Sequence, residues 1–389
     1  MWWIWSSNKI PRHLPVSEGP YVPGCFDLMT DYSPDGCFVR LHYPTSLSQV
    51  KNHSNRWIPW LPHRRYLEGF AYVLNLWTIL IKFIIYLFSG KMYIPIVWGE
   101  PLQKTDKKLP VIVFSHGLGA TRFFYSILCA ELASHGFVVA ALEHRDSSAC
   151  TSFYYKSSED KEKLKPTWIP FKRVPLGPNH YAAREQQIRA RAMECRRTVD
   201  LLEKLNVGTP VENVLGGDFE LSQFKDRLDL SNLTMMGHSF GGATALFTLA
   251  KDSRFKVGVI LDGWMFPLKE ETDLPDKVQL PLLFVNTQTF PIPSNVAIMK
   301  KFVENAQMHH EREVYTIRLT THENQTDTPY LIGYWLNFFM KKLDPVIGTR
   351  INHHLIVRFL DKHVGVPSGG VQDTFLQNQA HNIVQALSI

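Results

Sequence analysis

The chain has 389 residues, of which 45% are hydrophobic and 20% charged, so it is long enough to bury a large core. Its 42 basic and 36 acidic residues give a net charge of +6 without a block of like charges, which argues against nucleic-acid binding. The five cysteines are irregularly spaced and include no C-x-x-C pair that would hold a metal or a redox centre. We therefore expect one globular domain with reduced thiols, which favours a cytoplasmic location.

The start of the chain, MWWIWSSNKIPRH, has too short an apolar run for a signal peptide and no glycine after Met1 for myristoylation. Residues 1–108 are rich in proline and aromatic residues, and they contain short extended pieces such as GCFVRLHYP. Such pieces predict edge strands of a sheet. We assign residues 1–108 to an N-terminal extension of the same domain.

Residues 70–88, FAYVLNLWTILIKFIIYLF, are nearly all apolar and predict one helix long enough to span a bilayer. Its few polar side chains fall on a single stripe, which is more typical of a helix that lies on a membrane surface. A helix that covers the protein core would show the same pattern. The residues predicted to face lipid are Trp77, Ile81, Ile84 and Phe88. A second aromatic helix is predicted at residues 330–343, YLIGYWLNFFMKKL, either in the core or on the same lipid-facing surface.

From residue 109 onward, apolar runs alternate with helical stretches, which predicts βαβ units and a mainly parallel sheet flanked by helices. The predicted strands are LPVIVFSHG, FVVAALEHR, LTMMG, VGVILDG, LPLLFVN and VYTIRLT. The predicted helices are FFYSILCAELASHG and YAAREQQIRARAMECRRTVDLLEKLN, and Lys156–Lys165 and Leu268–Val278 are predicted loops. Residues 109–365 form the core of this α/β domain, and residues 366–389 form a C-terminal tail.

A small polar side chain stands between glycines in TMMGHSFGGATALFTLA, residues 234–250, where an apolar strand meets a helix. Gly237, Ser239 and Gly241 fit the G-x-S-x-G spacing of α/β-hydrolases, in which a strained strand-to-helix turn exposes the serine hydroxyl. The two glycines let the strand and the helix approach closely. Ser239 is therefore the predicted nucleophile.

A nucleophilic serine needs a base in reach and an acid that orients the base. In α/β-hydrolases both follow the serine, the acid first, at the carboxyl ends of strands. Asp262 ends the predicted strand VGVILDG, and His322 follows VYTIRLT, so these two residues are the predicted partners. Competing carboxylates lie on helix ends or charged loops: Asp252, Asp273 and Asp276. His116 and His238 precede Asp262 in the chain and are expected to be buried supports of the site.

The tetrahedral intermediate of acyl transfer also needs N–H donors for its oxyanion. One donor comes from the residue after the nucleophile, which is Phe240. The other comes from a glycine-containing loop after an early strand, and SHGLGA, residues 115–120, occupies that place. We predict Leu118 as this second donor.

Several segments resemble the platelet-activating factor acetylhydrolases: VIVFSHGLGATRFFYSILCAELASHGFVVAALEHRDSSA, MGHSFGGATA, LDGWMFPL, WIPFKRV and LPLLFVNTQTF. The resemblance covers most of residues 20–365. It implies calcium-independent hydrolysis of short or oxidised sn-2 acyl chains of phospholipids, with the triad and oxyanion donors chosen above and with neither a metal nor a cofactor. It also implies a hydrophobic surface near residues 70–88 that docks to a membrane or a lipid particle.

The leading hypothesis is thus a serine esterase that acts on phospholipids at a membrane surface. A general carboxylesterase or lipase of the same fold is the second hypothesis, because fold and triad do not fix the substrate. The third is a non-catalytic lipid-binding protein, which the intact triad argues against. No oligomeric state is predicted.

Overall fold

A central β-sheet organises the protein in the computed structural model, which describes residues 10–77, 79–80, 83, 91–304, 310–332, 341–370 and 374–388. The strands of these residues are β1 Val22–Met29, β2 Phe38–Thr45, β3 Trp57–Pro59, β4 Tyr93–Trp98, β5 Leu109–Ser115, β6 Val138–Leu142, β7 Thr151–Tyr154, β8 Thr167–Pro170, β9 Leu228–His238, β10 Phe255–Leu261, β11 Leu282–Thr287, β12 Arg312–Ile317 and β13 Ile383–Val384. Eleven of them form one sheet in the order β13-β12-β11-β10-β9-β5-β6-β2-β1-β4-β3, and β7 pairs with β8 in a separate hairpin.

The middle of the sheet is parallel and its outer parts are mixed. Strands β5, β6 and β9 to β12 all pair in parallel, as the alternation of strands and helices predicted. GCFVRLHYP forms β2, but this strand lies inside the sheet between β6 and β1, so its prediction as an edge strand was wrong. All eight residues of β2 are buried, because β1, β4 and β3 extend the sheet beyond it.

Helices cover both faces of the sheet. In the described residues they are α1 Arg64–Val73, α2 Ser126–Ser134, α3 Ser158–Glu162, α4 His180–Val207, α5 Phe240–Leu249, α6 Leu274–Lys277, α7 Pro293–Val303, α8 Thr328–Ile332, α9 Pro345–His363 and α10 Thr374–Asn378. Apolar side chains of α2 and α9 pack in one core cluster, and those of α4 and α5 pack in another. The two charged stretches predicted as loops contain α3 and α6. Ser157 caps α3 by accepting a hydrogen bond from the Asp160 N–H.

The apolar segment predicted as one helix over residues 70–88 is interrupted. Helix α1 begins at Arg64 and ends at Val73, because Asn75 adopts a left-handed φ of 56°. The Asn75 N–H donates to the Tyr72 carbonyl and the Leu76 N–H to the Ala71 carbonyl, which is the Schellman pattern of a helix end. An apolar pattern does not reveal this break, since asparagine is one of the few residues that adopt φ above zero without a large cost.

Part of the predicted lipid-facing surface can be placed. Trp77 is 84% exposed, whereas Ile81, Ile84 and Phe88 lie outside the described residues. The second predicted aromatic helix is described only at its start, where α8 ends at Ile332, and residues 333–340 also lie outside the description. Every helix of the described ranges is too short or too polar to cross a bilayer.

Candidate active site

The predicted nucleophile stands at the turn between β9 and α5. Ser239 has φ 56° and ψ −117°, a backbone conformation that non-glycine residues rarely adopt. Hydrogen bonds hold the turn on both sides: the Ser239 N–H donates to the Leu261 carbonyl, and the Trp264 N–H donates to the Ser239 carbonyl, each at 2.9 Å. The strained turn is thus fixed against the end of β10.

The two glycines of the turn leave no room for a side chain. A Cβ atom on Gly237 would lie 2.0 Å from the carbonyl oxygen of Gly241. A Cβ atom on Gly241 would lie 2.0 Å from the carbonyl oxygen of Ser115, at the end of β5. Any larger residue would push α5 away from the sheet and displace the serine.

The structure brings Asp262 and His322 together. His322 begins the 3-10 turn His322–Gln325 after β12, and its Nδ1 lies 2.9 Å from Asp262 Oδ2. Asp262 follows β10 and is buried, and Thr287 donates to it from its backbone N–H at 2.8 Å and from its hydroxyl at 2.5 Å. Because the carboxylate accepts the Nδ1 proton, His322 Nε2 is free to accept a proton from a nucleophile.

Two rings fix the imidazole of His322 beside the nucleophile turn. The Phe290 ring stacks on it with a centroid distance of 3.7 Å and an angle of 18° between the planes. On another side, the His238 ring lies 4.4 Å away, and His238 directly precedes Ser239. Burial lowers the pKa of His238 well below its usual value, so this histidine is neutral and does not compete for protons at pH 7.

The glycine loop after β5 lies against the same turn. A Cβ atom on Gly117 would be 3.3 Å from the Cβ of Ser239, so the loop backbone borders the nucleophile. The Gly117 N–H donates to the Tyr125 hydroxyl at 2.9 Å, and that hydroxyl lies 2.9 Å from His238 Nδ1. His116 is buried, and its Nε2 accepts the His144 N–H at 3.1 Å, so His116 supports the loop as predicted.

Within the described residues, the N–H groups of the two predicted oxyanion donors lack hydrogen-bond acceptors for different reasons. The N–H of Gly119 donates to the Ser148 carbonyl at 2.7 Å, whereas the Leu118 N–H has no acceptor in the described part of the chain. Phe240 is the first residue of α5, where a helix leaves its N–H groups without intrahelical partners. Leu118 and Phe240 therefore remain the predicted oxyanion donors.

One group of possible metal ligands coincides with this site. Ligand atoms of His238, Asp262 and His322 lie within 4.8 Å of one another. However, Tyr125 engages Nδ1 of His238, and Asp262 and His322 engage each other. The donor set therefore fits a hydrogen-bonded network better than a metal centre.

Sequence reasoning missed the carboxylate that anchors the histidine loop. Asp327 follows the 3-10 turn of His322 and accepts hydrogen bonds from the N–H groups of Ser126 and Ile127 at the start of α2 and from the Trp60 indole, at 2.9 to 3.1 Å. Burial raises the pKa of Asp327 to about 7. Its position in the sequence gives no signal, since all three donors lie far upstream in the chain.

Comparisons with known proteins agree with one another. A family model described as "Platelet-activating factor acetylhydrolase, isoform II" matches residues 6–382. The platelet-activating factor acetylhydrolase of Bos taurus is 38% identical over 98% of this chain and 83% of its own length. That of Canis lupus familiaris is 35% identical over 97% of this chain and 83% of its own length. A putative phospholipase A2 of Schizosaccharomyces pombe is 27% identical over 87% of this chain and 86% of its own length.

A solved structure shows the fold. The ferulic acid esterase of Streptomyces cinnamoneus superposes with a TM-score of 0.61 over 96% of this chain and 98% of its own, at 17% identity. The predicted α/β-hydrolase fold is confirmed by this similarity together with the sheet order.

Proposed function

The chain belongs to the platelet-activating factor acetylhydrolase family, and from this premise we propose that it is a serine esterase that cleaves the sn-2 acetyl or other short acyl ester of phospholipids. The observation that carries the proposal is the Asp262–His322 hydrogen bond beside the strained turn of Ser239. The substrate class is supported by the names of the relatives, which cover this chain almost completely.

The proposed chemical steps follow from the direction of the hydrogen bond from His322 to Asp262. Ser239 Oγ attacks the ester carbonyl while His322 Nε2 accepts its proton. Asp262 keeps the imidazole in the required tautomer and stabilises the imidazolium that forms. The protonated His322 then donates to the lyso-lipid oxygen, and the acyl group stays on Ser239 until water, activated by the same histidine, releases it.

The oxyanion of each tetrahedral intermediate is bound by backbone N–H groups. Leu118 supplies one and Phe240 the other, from two segments that the rest of the fold holds in place. Such preorganised donors stabilise the transition state more than the ground state, since the negative charge develops only as the carbonyl carbon becomes tetrahedral.

In this proposal, the protein also docks to the surface of a membrane or a lipid particle through the exposed apolar side chains after α1. Trp77, Ile79 and Phe83 are 84%, 81% and 57% exposed, an unusual density of large apolar groups for a solvated surface. A cytoplasmic membrane face is the proposed location, supported by five cysteines that form no disulfide.

The function is tested by calcium-free release of labelled acetate from an sn-2-acetyl ether phosphocholine, beside a long-chain phospholipid. Ser239→Ala should abolish acetate release, and Ser253→Ala, a change of an exposed serine after α5, should not. Little cleavage of the long-chain lipid is expected from the wild type. Preference for long-chain or simple esters would instead favour a general lipase or carboxylesterase.

Docking is tested by liposome sedimentation of Trp77→Ala, with Val207→Ala as a control. Val207 is also an exposed apolar residue, but it lies at the end of α4. Trp77→Ala should reduce the bound fraction several-fold and leave hydrolysis of a soluble ester unchanged. Equal binding by the two variants would contradict this docking surface.

A further inference from the structure

A buried arginine contacts both segments that carry the predicted oxyanion donors. Arg191 is on α4, its side chain is completely buried, and its Nε lies 3.3 Å from Asp146 Oδ2. Burial lowers the pKa of Arg191 and the charge of Asp146 opposes this effect, so the guanidinium remains a cation at pH 7. No step of the proposed hydrolysis uses this charge directly.

Arg191 holds the glycine loop on both sides of Leu118. Its Nη1 donates to the His116 carbonyl at 2.6 Å. Its Nε and Nη2 donate to the Ser148 hydroxyl at 2.9 and 2.6 Å, and the carbonyl of Ser148 in turn accepts the Gly119 N–H. Arg191 therefore holds the peptide group between His116 and Gly117, and Ser148, which it binds, holds the peptide group between Leu118 and Gly119.

The same guanidinium also contacts the second donor. Its carbon lies 4.5 Å from the centroid of the Phe240 ring, within the range of a cation–π interaction. The two segments meet at this point, because a Cβ atom on Gly241 would lie 2.8 Å from the His116 carbonyl oxygen that Arg191 binds. One side chain thus links both parts of the oxyanion hole.

We propose that Arg191 is a positioning residue for the oxyanion hole, which sets the relative placement of the Leu118 and Phe240 N–H groups and adds a fixed positive charge behind them. The inference rests on the proposed serine esterase function. Because the donors act on the tetrahedral state, loss of Arg191 should weaken binding of that state and leave binding of the ground-state ester nearly unchanged.

The test compares Arg191→Met and Arg191→Lys with Arg40→Met. Arg40 is a matched control, since it is 2% exposed and its Nε pairs with Asp27 at 2.7 Å between β1 and β2. For each protein, kcat and KM are measured on p-nitrophenyl acetate, together with the inhibition constant of a trifluoromethyl ketone. This ketone forms a tetrahedral adduct with serine, and its inhibition constant does not depend on how much of the sample is folded.

Arg191→Met should lower kcat and raise the inhibition constant by a similar factor of about 30, with KM changed less than about threefold, since the donors are displaced rather than removed. Arg191→Lys should show a smaller change because the charge remains. Arg40→Met should leave the inhibition constant unchanged. An unchanged constant in Arg191→Met, or an equal rise in Arg40→Met, would show that Arg191 is only structural.

Two further outcomes are distinguishable. If Arg191→Met does not fold, Ser148→Ala removes the hydroxyl that two guanidinium N–H groups share, and it should raise the inhibition constant by about three- to tenfold. No rise would then overturn the inference. Failure of the folded wild type both to cleave the ester and to bind the ketone would overturn the proposed function itself.

Discussion

The protein contains a second serine–histidine–carboxylate set besides the candidate triad. Ser115 Oγ lies 2.8 Å from His144 Nε2, and His144 Nδ1 lies 2.5 Å from Glu194 Oε2. This order of hydrogen bonds is the one a catalytic triad requires. The corresponding distance in the candidate triad, between His322 Nδ1 and Asp262 Oδ2, is 2.9 Å.

The two sets differ in backbone and in access. Ser115 is the last residue of a strand, and both Ser115 and His144 are completely buried. Ser239 stands at a turn with positive φ, and the side chain of His322 is 28% exposed. Hydrogen-bond order alone therefore does not identify a nucleophile, and the strained turn and the more exposed imidazole are what favour Ser239 as the candidate.

The largest expected difference between the sets is in the serines. Ser239→Ala should lower kcat for ester hydrolysis by about 10⁴-fold or more, because the variant lacks the hydroxyl that forms the acyl-enzyme. Ser115→Ala should keep kcat within about tenfold and lower the free energy of unfolding by about 1–3 kcal/mol, since it leaves a buried histidine nitrogen unpaired. Steady-state kinetics and denaturant melts check both values. Loss of turnover in Ser115→Ala without loss of stability would contradict the assignment.

Substitutions of the two acids, Asp262 and Glu194, should differ almost as much in their effect on kcat. In Asp262→Asn the amide would donate to His322 Nδ1 and hold the imidazole in the wrong tautomer, so kcat should fall about 10³- to 10⁴-fold. Glu194→Gln should reduce kcat far less, because His144 transfers no proton. Rates measured on the same soluble ester decide the comparison, and similar losses in both variants would refute it.

The buried set, Ser115, His144 and Glu194, should instead make the free energy of unfolding depend on pH. Burial raises the pKa of Glu194 from 4.5 to about 7, so the folded protein holds this proton more tightly than the unfolded chain between those pH values. The resulting stabilisation is present below pH 4.5 and is lost as the pH rises through about 7, at about 1.4 kcal/mol per pH unit.

Glu194→Gln should remove this contribution. Burial also lowers the pKa of His144, but that effect is common to both proteins and cancels in their difference. The free energy of unfolding of the wild type, minus that of Glu194→Gln, should therefore decrease from pH 4.5 to pH 7 in urea titrations. A difference that does not vary with pH would mean that Glu194 is ionised throughout.

The smallest expected effect is that of Phe290, whose ring packs against His322. The Phe290 and His322 rings are stacked with centroids 3.7 Å apart, whereas the His116 ring is tilted by 58° against the His144 ring at 4.9 Å. Phe290→Leu should lower kcat about three- to tenfold, since the imidazole gains freedom but keeps its bond to Asp262. A change confined to KM would indicate that the ring contacts substrate instead.

The candidate triad could be predicted from the sequence because each of its members follows a strand within a stretch of regular alternation. Ser239 has its glycine signature, and Asp262 and His322 follow apolar runs in a fixed order. The buried set and Arg191 could not be predicted, since their partners come from α4 and from loops far away in the chain. The end of α1 at Val73 was also missed, because a single left-handed residue, Asn75, leaves the apolar pattern unchanged.

The short strand β13 has a practical consequence for handling the protein. It pairs antiparallel with β12 at Thr316 and Ile317, and the Thr316 hydroxyl and the Asn286 amide donate to the carbonyls of Ala386 and Leu387. A chain cut before Ile383 would expose the unpaired edge of β12, which invites association between molecules. Purification tags and truncations are therefore better placed away from residues 383–388.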